Sequence, residues 1–249
     1  MLLYVLMFAM IVFICVKNFS LLKRYKFNKK YIECYREVLK DDENAYEHVS
    51  EYIASQKKEE YINKARVLQL YVELKNDLDY TKTLDSLDIR KIYYNDKNQL
   101  DKNLVVYNSD TFVFIVMVMS KAYAKLKPNV VTSLYEKIAP LTEMNEQIEY
   151  QEVIAVYNAL LSKDDNGVAI LNCLLNGEYT KYKYDKNMIG IYKRIAAATL
   201  SYLDQPISDY DQEDLGTFSK SLIGKQILTD LKIYDRFAKV DVESDNQWS

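Results

Sequence analysis

The chain has 249 residues, of which 49% are hydrophobic and 28% are charged, and its net charge at neutral pH is −3. This composition is typical of a globular chain and excludes a disordered one. It includes only 5 Gly and 3 Pro, which are too few for the turns of an all-β or dinucleotide-binding fold, so we expect an all-α fold. The three cysteines, Cys15, Cys34 and Cys173, are odd in number and far apart, which favours neither a disulfide framework nor a zinc site.

The beginning of the chain is strongly apolar. No charged or amide side chain occurs from Leu2 to Val16. If the side chain of Lys17 reaches the headgroups, about 20 residues are available to cross the hydrocarbon core. We therefore expect a transmembrane anchor at residues 1–24. Six basic residues flank the apolar run on its C-terminal side, and these are Lys17, Lys23, Arg24, Lys26, Lys29 and Lys30.

These flanking charges also predict an orientation. Positive flanks stay on the cytoplasmic side of a membrane, so we expect the N-terminus outside and the body in the cytoplasm. The same residues are expected to contact anionic lipid. Beyond residue 30 the chain has 27 basic and 36 acidic residues, a net charge of −9. Such an acidic body makes nucleic acid an unfavourable partner.

Three alternatives to an anchor follow from the same residues. A cleavable signal requires a positive residue before the apolar run and a pair of small residues after it, and neither is found. Lipid attachment at Cys15 requires a small residue before the cysteine, whereas Phe13 and Ile14 are bulky. An apolar run of this length is also compatible with a buried core helix, although the adjacent basic block favours a membrane.

Helical periodicity predicts most elements of the body in turn. A basic juxtamembrane helix is expected at residues 25–41, and a helical-repeat domain at 42–240 is followed by a flexible tail at 241–249. We expect Asp41 and Asp42 to cap a second helix, and a third helix over residues 57–76. The segment 89–108 has no clear period and predicts a long loop.

The rest of the body contains five further signals. Ser109 or Asp110 is predicted to cap a very apolar core helix, after which Pro128 opens a partner that ends near residue 138. Asn166-Gly167 predicts a turn, and Asn176-Gly177 predicts a helix C-cap. A last helix is expected from residue 185, with its partner between 211 and 237.

Two stretches of the body resemble each other. Residues 67–74, VLQLYVEL, are echoed by residues 153–160, VIAVYNAL, and each reads as a long helix, a polar turn and a shorter helix. The pattern resembles a tetratricopeptide repeat, although Tyr71 and Tyr157 stand where that family has a small residue. The resemblance implies an α-solenoid of antiparallel helical hairpins and nothing about activity. A divergent helical bundle is the alternative. The matching positions are Val153, Val156, Leu160 and Ala169.

The sequence offers little to support catalysis. The one histidine, His48, has Ala45 where a Glu-x-x-His metal motif requires glutamate. The sequence contains no glycine-rich phosphate-binding loop and no recognisable motif around a catalytic nucleophile. We therefore expect that the protein is not an enzyme and binds no metal or cofactor. The 23 tyrosines are expected to pack between helices, and some to line a groove for a protein or peptide partner. The candidate partner-binding residues are Tyr179, Lys181, Tyr182, Lys183 and Tyr184.

These observations together predict a protein that acts by binding another protein and not by catalysis. We expect a single-pass, membrane-anchored helical-repeat scaffold that mediates protein–protein interaction at the cytoplasmic face of a bacterial membrane. One alternative is a membrane-bound enzyme with an unrecognised site. Another is the same module facing outside.

Overall fold

The structure is a computed structural model that describes residues 29–95, 97–144, 154–157, 159, 165–177 and 186–238. Within these residues the chain is all-helical without a β-strand, as the composition predicted, and a single bridge pairs Tyr94 with Leu100. The helices, with one 3-10 helix at Ala139–Met144, are α1 at residues 29–40, α2 at Ala45–Ser55, α3 at Glu59–Lys75, α4 at Thr81–Ser86, α5 at Arg90–Tyr93, α6 at Lys102–Tyr107, α7 at Ser109–Ala124, α8 at Pro128–Ile138, α9 at Asp165–Leu175, α10 at Lys186–Tyr202, α11 at Asp209–Ser219, α12 at Leu222–Asp230 and α13 at Tyr234–Phe237.

The core is built around α7. Every side chain from Phe112 to Met119 is at most 1% exposed. A helix that is apolar on all sides requires neighbours on all sides, and α3, α8 and α12 pack around it. The prediction of a core helix here is confirmed. The β-branched and aromatic residues of α7 have low intrinsic helix propensity. The free energy gained by burying them outweighs this preference.

The long helices α1, α3, α7 and α10 run in the same direction. Near their beginnings, the Lys64 Nζ on α3 lies 4.4 Å from the ring of Tyr31 on α1 and 2.8 Å from Asp110 on α7. The Tyr192 hydroxyl on α10 also donates to the carbonyl of Ser109. We call this the proximal end.

At the opposite, distal end the same helices finish side by side. The Lys75 Nζ lies 2.9 Å from Asp41, and the Lys125 Nζ donates to the Lys75 carbonyl at 2.9 Å. The rings of Tyr123 and Tyr202 meet edge to face with centroids 5.9 Å apart. The N-termini of these four helices therefore lie at one end of the body and their C-termini at the other.

The first described helix, α1, belongs to the core. Its side chains Tyr31, Cys34 and Val38 are buried. The Tyr31 ring lies 6.2 Å from that of Tyr52 on α2, and Tyr35 packs edge-on against Phe114 on α7 at 4.8 Å. Burial and the nearby Asp110 carboxylate raise the pKa of Tyr31 well above its usual value. Helix α1 is thus held by ring packing from its first turn.

Two capping predictions are wrong. Asp41 has φ of 60° and ends α1, while α2 begins after Asn44, whose backbone N–H is bound by the Asp42 side chain. Helix α7 begins after Asn108, and neither Ser109 nor Asp110 caps it. Two of these carboxylates make tertiary contacts instead, since Asp41 pairs with Lys75 on α3 and Asp110 binds Lys64 on α3.

The predicted loop at residues 89–108 is also wrong. This segment forms α5 and α6 and buries Ile89, Ile92, Tyr93 and Val105. Helices of four and six residues are too short to show a period, so only packing against α3 and α7 reveals them.

Four further predictions are tested by the rest of the body. Asn166-Gly167 lies inside α9, so the predicted turn is wrong. Gly177 has φ of 76° and its N–H binds the Leu174 carbonyl, which confirms the C-cap. Helix α8 spans Pro128–Ile138 as predicted. The expected partner of α10 is divided into α11, α12 and α13.

Within the described part of the chain, none of the helices combines the length and apolarity needed to cross a membrane. The predicted anchor at residues 1–24 and the tail at 241–249 lie outside the described residues. Helix α3 contains residues 67–74, and residues 154–157 of the echoed stretch are also helical. The tetratricopeptide-like repeat stays a prediction.

Candidate interaction surface at the distal end

Five helices end in turns of the same kind. Each turn has a residue other than glycine in the left-handed region, with φ between 54° and 61°. The amide of the following residue then binds the carbonyl five positions earlier, as in a Schellman motif. Glycine is the residue that adopts this conformation without strain, and the sequence has only 5. The left-handed residues, after α1, α3, α7, α10 and α12, are Asp41, Asp77, Leu126, Asp204 and Lys232.

Two lysines bind polar groups at this end. The Lys125 Nζ donates to the last carbonyl of α3 and lies 2.7 Å from Asp77. The Lys75 Nζ pairs with Asp41 at 2.9 Å and donates to the Gln226 side chain at 3.1 Å. A helix C-terminus carries a partial negative charge, so cations are favourable at these positions.

A buried carboxylate joins α12 to this end. The Asp230 side chain is 0% exposed, and its Oδ1 lies 2.5 Å from the Lys121 Nζ on α7. The Gln226 amide donates to the same oxygen at 3.3 Å, and the Tyr71 hydroxyl donates to Oδ2 at 2.8 Å. Burial raises the pKa of Asp230, while Lys121 and the hydrogen bonds from Tyr71 and Gln226 lower it. Both carboxylate oxygens are therefore satisfied by side chains from α3, α7 and α12.

A cavity of about 150 Å³ opens beside this network. Burial and the neighbouring Tyr123 hydroxyl raise the pKa of Tyr202 to about 12, so its phenol stays neutral at physiological pH. An opening of this volume is comparable to one that admits a benzene ring. Its wall combines aromatic, aliphatic and charged groups from Tyr123, Ala124, Leu126, Tyr202, Asp230, Leu231 and Lys232.

Leu126 is the unusual residue of the cavity rim. Its side chain is 86% exposed and its φ is 55°. A left-handed conformation costs about 1–2 kcal/mol for a residue with a Cβ. An exposed leucine gains nothing from burial that would offset this strain. Strained residues of this kind concentrate at binding sites, which makes Leu126 the candidate contact residue of the distal end.

The residues that the sequence proposed for binding are not brought into this site. Tyr179, Lys181, Tyr182, Lys183 and Tyr184 lie outside the described residues, as do Lys17, Lys23, Arg24 and Lys26. Lys29 and Lys30 lie exposed on α1 at the proximal end, where Lys29 forms a weak 3.9 Å pair with Glu33.

The histidine belongs to the surface. The His48 Nδ1 lies 2.9 Å from the Glu37 Oε2, which links α2 to α1. The hydrogen bond to Glu37 raises the pKa of His48. Among the described residues, no group of three or more His, Cys, Asp or Glu side chains could hold a metal ion.

Sequence reasoning missed Lys121, Asp230, Tyr202 and Leu126. Lys121 and Asp230 are single charges at the ends of apolar helical stretches, and that position is the only signal the sequence gives. A lysine near a helix C-terminus is ordinarily explained by the helix dipole. Their pairing spans 109 positions, and no local pattern encodes it.

No protein-family model, curated protein or solved structure matches this chain.

Proposed function

We propose that this protein is a single-pass, membrane-anchored helical scaffold that recruits a protein partner to the cytoplasmic face of the membrane. The observation that carries the proposal is the burial of α1 directly after the basic flank. Tyr31 and Cys34 are already part of the core, seven and ten positions after Arg24. A helix packed in this way does not act as a flexible linker, so the predicted anchor and the body are closely coupled.

The short connection gives the body a preferred orientation. Seven residues span about 10 Å as a helix and at most about 25 Å when extended. The proximal end of the body therefore faces the bilayer. Helix α7 has 16 residues and, at about 1.5 Å per residue, carries Leu126 roughly 24 Å further from the membrane. The distal end is thereby presented to the cytoplasm.

The size of the distal cavity favours a protein partner over a small metabolite. Pockets for small molecules and cofactors have volumes of about 300–1,000 Å³. The cavity here has about 150 Å³, which is enough for a single apolar side chain. One aromatic or aliphatic anchor residue in a small pocket is a common centre of protein–protein interfaces. Leu126 and Tyr202 supply the apolar contacts for such an anchor.

The membrane anchor is tested by alkaline extraction of membranes that contain the full chain. We expect the chain to stay in the membrane pellet, and the double substitution Met10→Lys with Phe13→Lys to release it, because two buried charges oppose insertion. The matched control adds the same charges at exposed sites of the body, Gln205→Lys and Gln212→Lys, and should remain in the pellet. Equal extraction of the wild type and the anchor variant would contradict the proposal.

Orientation is tested with an impermeant maleimide in intact cells. Cys34 is buried, so the exposed position Lys91 is changed to cysteine after Cys15 and Cys173 are replaced by serine. We expect labelling of Lys91→Cys only after the cells are permeabilised. Labelling in intact cells would show that the body faces outside.

Recruitment is tested by site-specific photocrosslinking in cells. A photoreactive residue at Leu126 should give a discrete heavier adduct, whereas the same residue at Lys91, on α5, should not. The adduct at Leu126 should disappear in the variant Tyr202→Ala, which removes one wall of the cavity. Identical crosslinking at both positions would argue against a specific distal surface.

A further inference from the structure

We infer that the distal cavity accepts one phenyl-sized aromatic side chain of the partner, carried by an acidic segment whose carboxylates lie beside Lys127 and Lys232. A partner of this chemistry rests on the proposed function, which requires a protein bound at the distal end. The cavity is formed where α7, α10 and α12 end, so its walls come from three separate turns.

These three turns are fixed to one another by polar contacts. The pair of Lys121 and Asp230 joins the end of α7 to the end of α12. The Arg236 guanidinium on α13 donates to the Ser201 carbonyl of α10 at 3.0 Å and lies 3.2 Å from Asp204. A pocket held in this way binds without the entropic cost of ordering its own side chains. The cavity can therefore select an occupant by its size and shape.

The size and the ring geometry of the cavity favour an aromatic occupant. Its volume is about 150 Å³, and an apolar cavity of that volume binds benzene. On its wall the rings of Tyr123 and Tyr202 lie edge to face, with an interplanar angle of 87°. A third ring can extend this cluster, and aromatic pairs gain free energy beyond that of the buried area. An aliphatic side chain of similar size lacks this gain.

Leu126 extends the apolar contact beyond the cavity. Its side chain lies at the rim and is 86% exposed. A peptide segment whose ring fills the cavity would cover this side chain and remove it from water. In the complex, this gain offsets the strain of the left-handed conformation of Leu126.

The turns around the cavity are basic, although the body is acidic. Residues 121–127, 200–205 and 228–233 contain four lysines and two aspartates, a net charge of +2. Both aspartates have a basic partner. Lys127 and Lys232 form no ion pair with a carboxylate among the described residues. Because the chain beyond residue 30 has a net charge of −9, an acidic segment is repelled by most of the body and attracted to this rim.

Binding of synthetic peptides to the full chain, in nanodiscs of neutral lipid, is measured by fluorescence anisotropy. The probe is a short fluorescein-labelled peptide in which one phenylalanine is flanked by glutamates. Replacing the phenylalanine by alanine should weaken binding by about tenfold or more. Replacing it by leucine should weaken binding by about two- to tenfold, since the aromatic contact is lost. Replacing the glutamates by lysines should also weaken binding, and this difference should shrink as the salt concentration rises.

Three results would overturn the inferred chemistry of the partner. The first is that the acidic phenylalanine probe does not bind. The second is that the leucine and phenylalanine probes bind equally well. The third is that the basic probe binds more tightly than the acidic one.

Variants of the chain show whether the probe occupies this cavity. Leu126→Asp should weaken binding of the acidic probe several-fold, whereas the matched control Ile32→Asp, at an exposed apolar residue of the proximal end, should not change it. Lys232→Glu should weaken the acidic probe and strengthen the basic probe, whereas Lys91→Glu, at an exposed position of α5, should change neither. Equal effects of the two members of either pair would overturn the assignment to the distal cavity.

Peptide binding and photocrosslinking at Leu126 can fail separately. An adduct at Leu126 in cells without peptide binding would overturn the acidic, aromatic chemistry and leave the scaffold proposal standing. Peptide binding without an adduct in cells would support the chemistry of the cavity and count against recruitment.

Discussion

The proximal and distal ends of the body each contain a lysine–aspartate ion pair, but the surroundings of the two pairs differ. At the proximal end, Lys64 on α3 pairs with Asp110 on α7 at 2.8 Å, and the Asp110 side chain is 31% exposed. At the distal end, Lys121 on α7 pairs with Asp230 on α12, and the Asp230 side chain is fully buried.

The groups around each pair also differ. Two aromatic rings lie near the Lys64 ammonium, which also donates to the buried Asn108 side chain at 3.3 Å, while the buried hydroxyls of Tyr31 and Tyr52 lack a hydrogen-bond partner in the described part of the protein. At the distal end each oxygen of Asp230 accepts a hydrogen bond with defined direction. A carboxylate that water reaches tolerates small shifts of its partners, whereas a fully buried carboxylate does not. We therefore expect the distal pair to fix how α3, α7 and α12 fit together.

The largest expected effect is that of Asp230→Ala. It leaves the Lys121 ammonium without its carboxylate and the Tyr71 hydroxyl without its acceptor. Removing one partner of a buried ion pair costs about 3–5 kcal/mol of unfolding free energy. Urea unfolding followed by circular dichroism measures this loss.

Two controls show whether the loss comes from the buried charge. Asp214→Ala breaks the part-exposed pair with Arg194 and should cost no more than about 1 kcal/mol. Replacing both distal partners, Lys121→Met with Asp230→Leu, should cost less than Asp230→Ala alone, because no charge is left unpaired. A larger loss in the double variant would show that the network contributes more than charge neutralisation.

A smaller effect is expected from Lys64→Met at the proximal end. Water already reaches Asp110, so the carboxylate left behind keeps part of its hydration. We expect a loss of roughly 1–2 kcal/mol, measured by the same unfolding experiment. If Lys64→Met cost as much as Asp230→Ala, the proposed difference between the two ends would be wrong.

The substitution Leu126→Gly should stabilise the fold by up to about 1 kcal/mol, because glycine adopts positive φ without strain. The same change should weaken binding of the partner, because it removes the exposed apolar side chain at the cavity rim. Leu78→Gly, on another exposed leucine at the distal end whose φ is not positive, should not stabilise. A stabilising change that removes binding would identify Leu126 as a residue kept for contact.

The smallest effect concerns the exposed pair of His48 and Glu37. Glu37→Gln should lower the pKa of His48 towards about 6.5, as measured by NMR titration of the imidazole. A raised histidine pKa contributes stability that is present below the unfolded value and is lost as pH rises through the folded value. Glu51→Gln should lower the pKa less, since Glu51 acts only through its charge.

Much of the local structure of this protein could be predicted from its sequence. The scarcity of Gly and Pro predicted helices, the apolar run at 112–119 predicted a core helix, and Pro128 and Gly177 marked a helix start and a helix end. These features depend on residues within one or two helical turns of each other, so periodicity and capping reveal them. The caps of α2 and α7 were predicted incorrectly because distant side chains compete for the same polar groups.

The sequence by itself determined an all-helical body with an apolar centre, since helix formation and amphipathicity are local properties of the chain. Only the tertiary structure decided that α1, α3, α7 and α10 run in parallel, that α5 and α6 form at all, and that Asp230 meets Lys121. Such pairings join residues that are far apart in the chain, and they are selected by packing and by the cost of leaving a buried charge alone. The candidate surface at the distal end exists because those long-range choices bring several helix ends together.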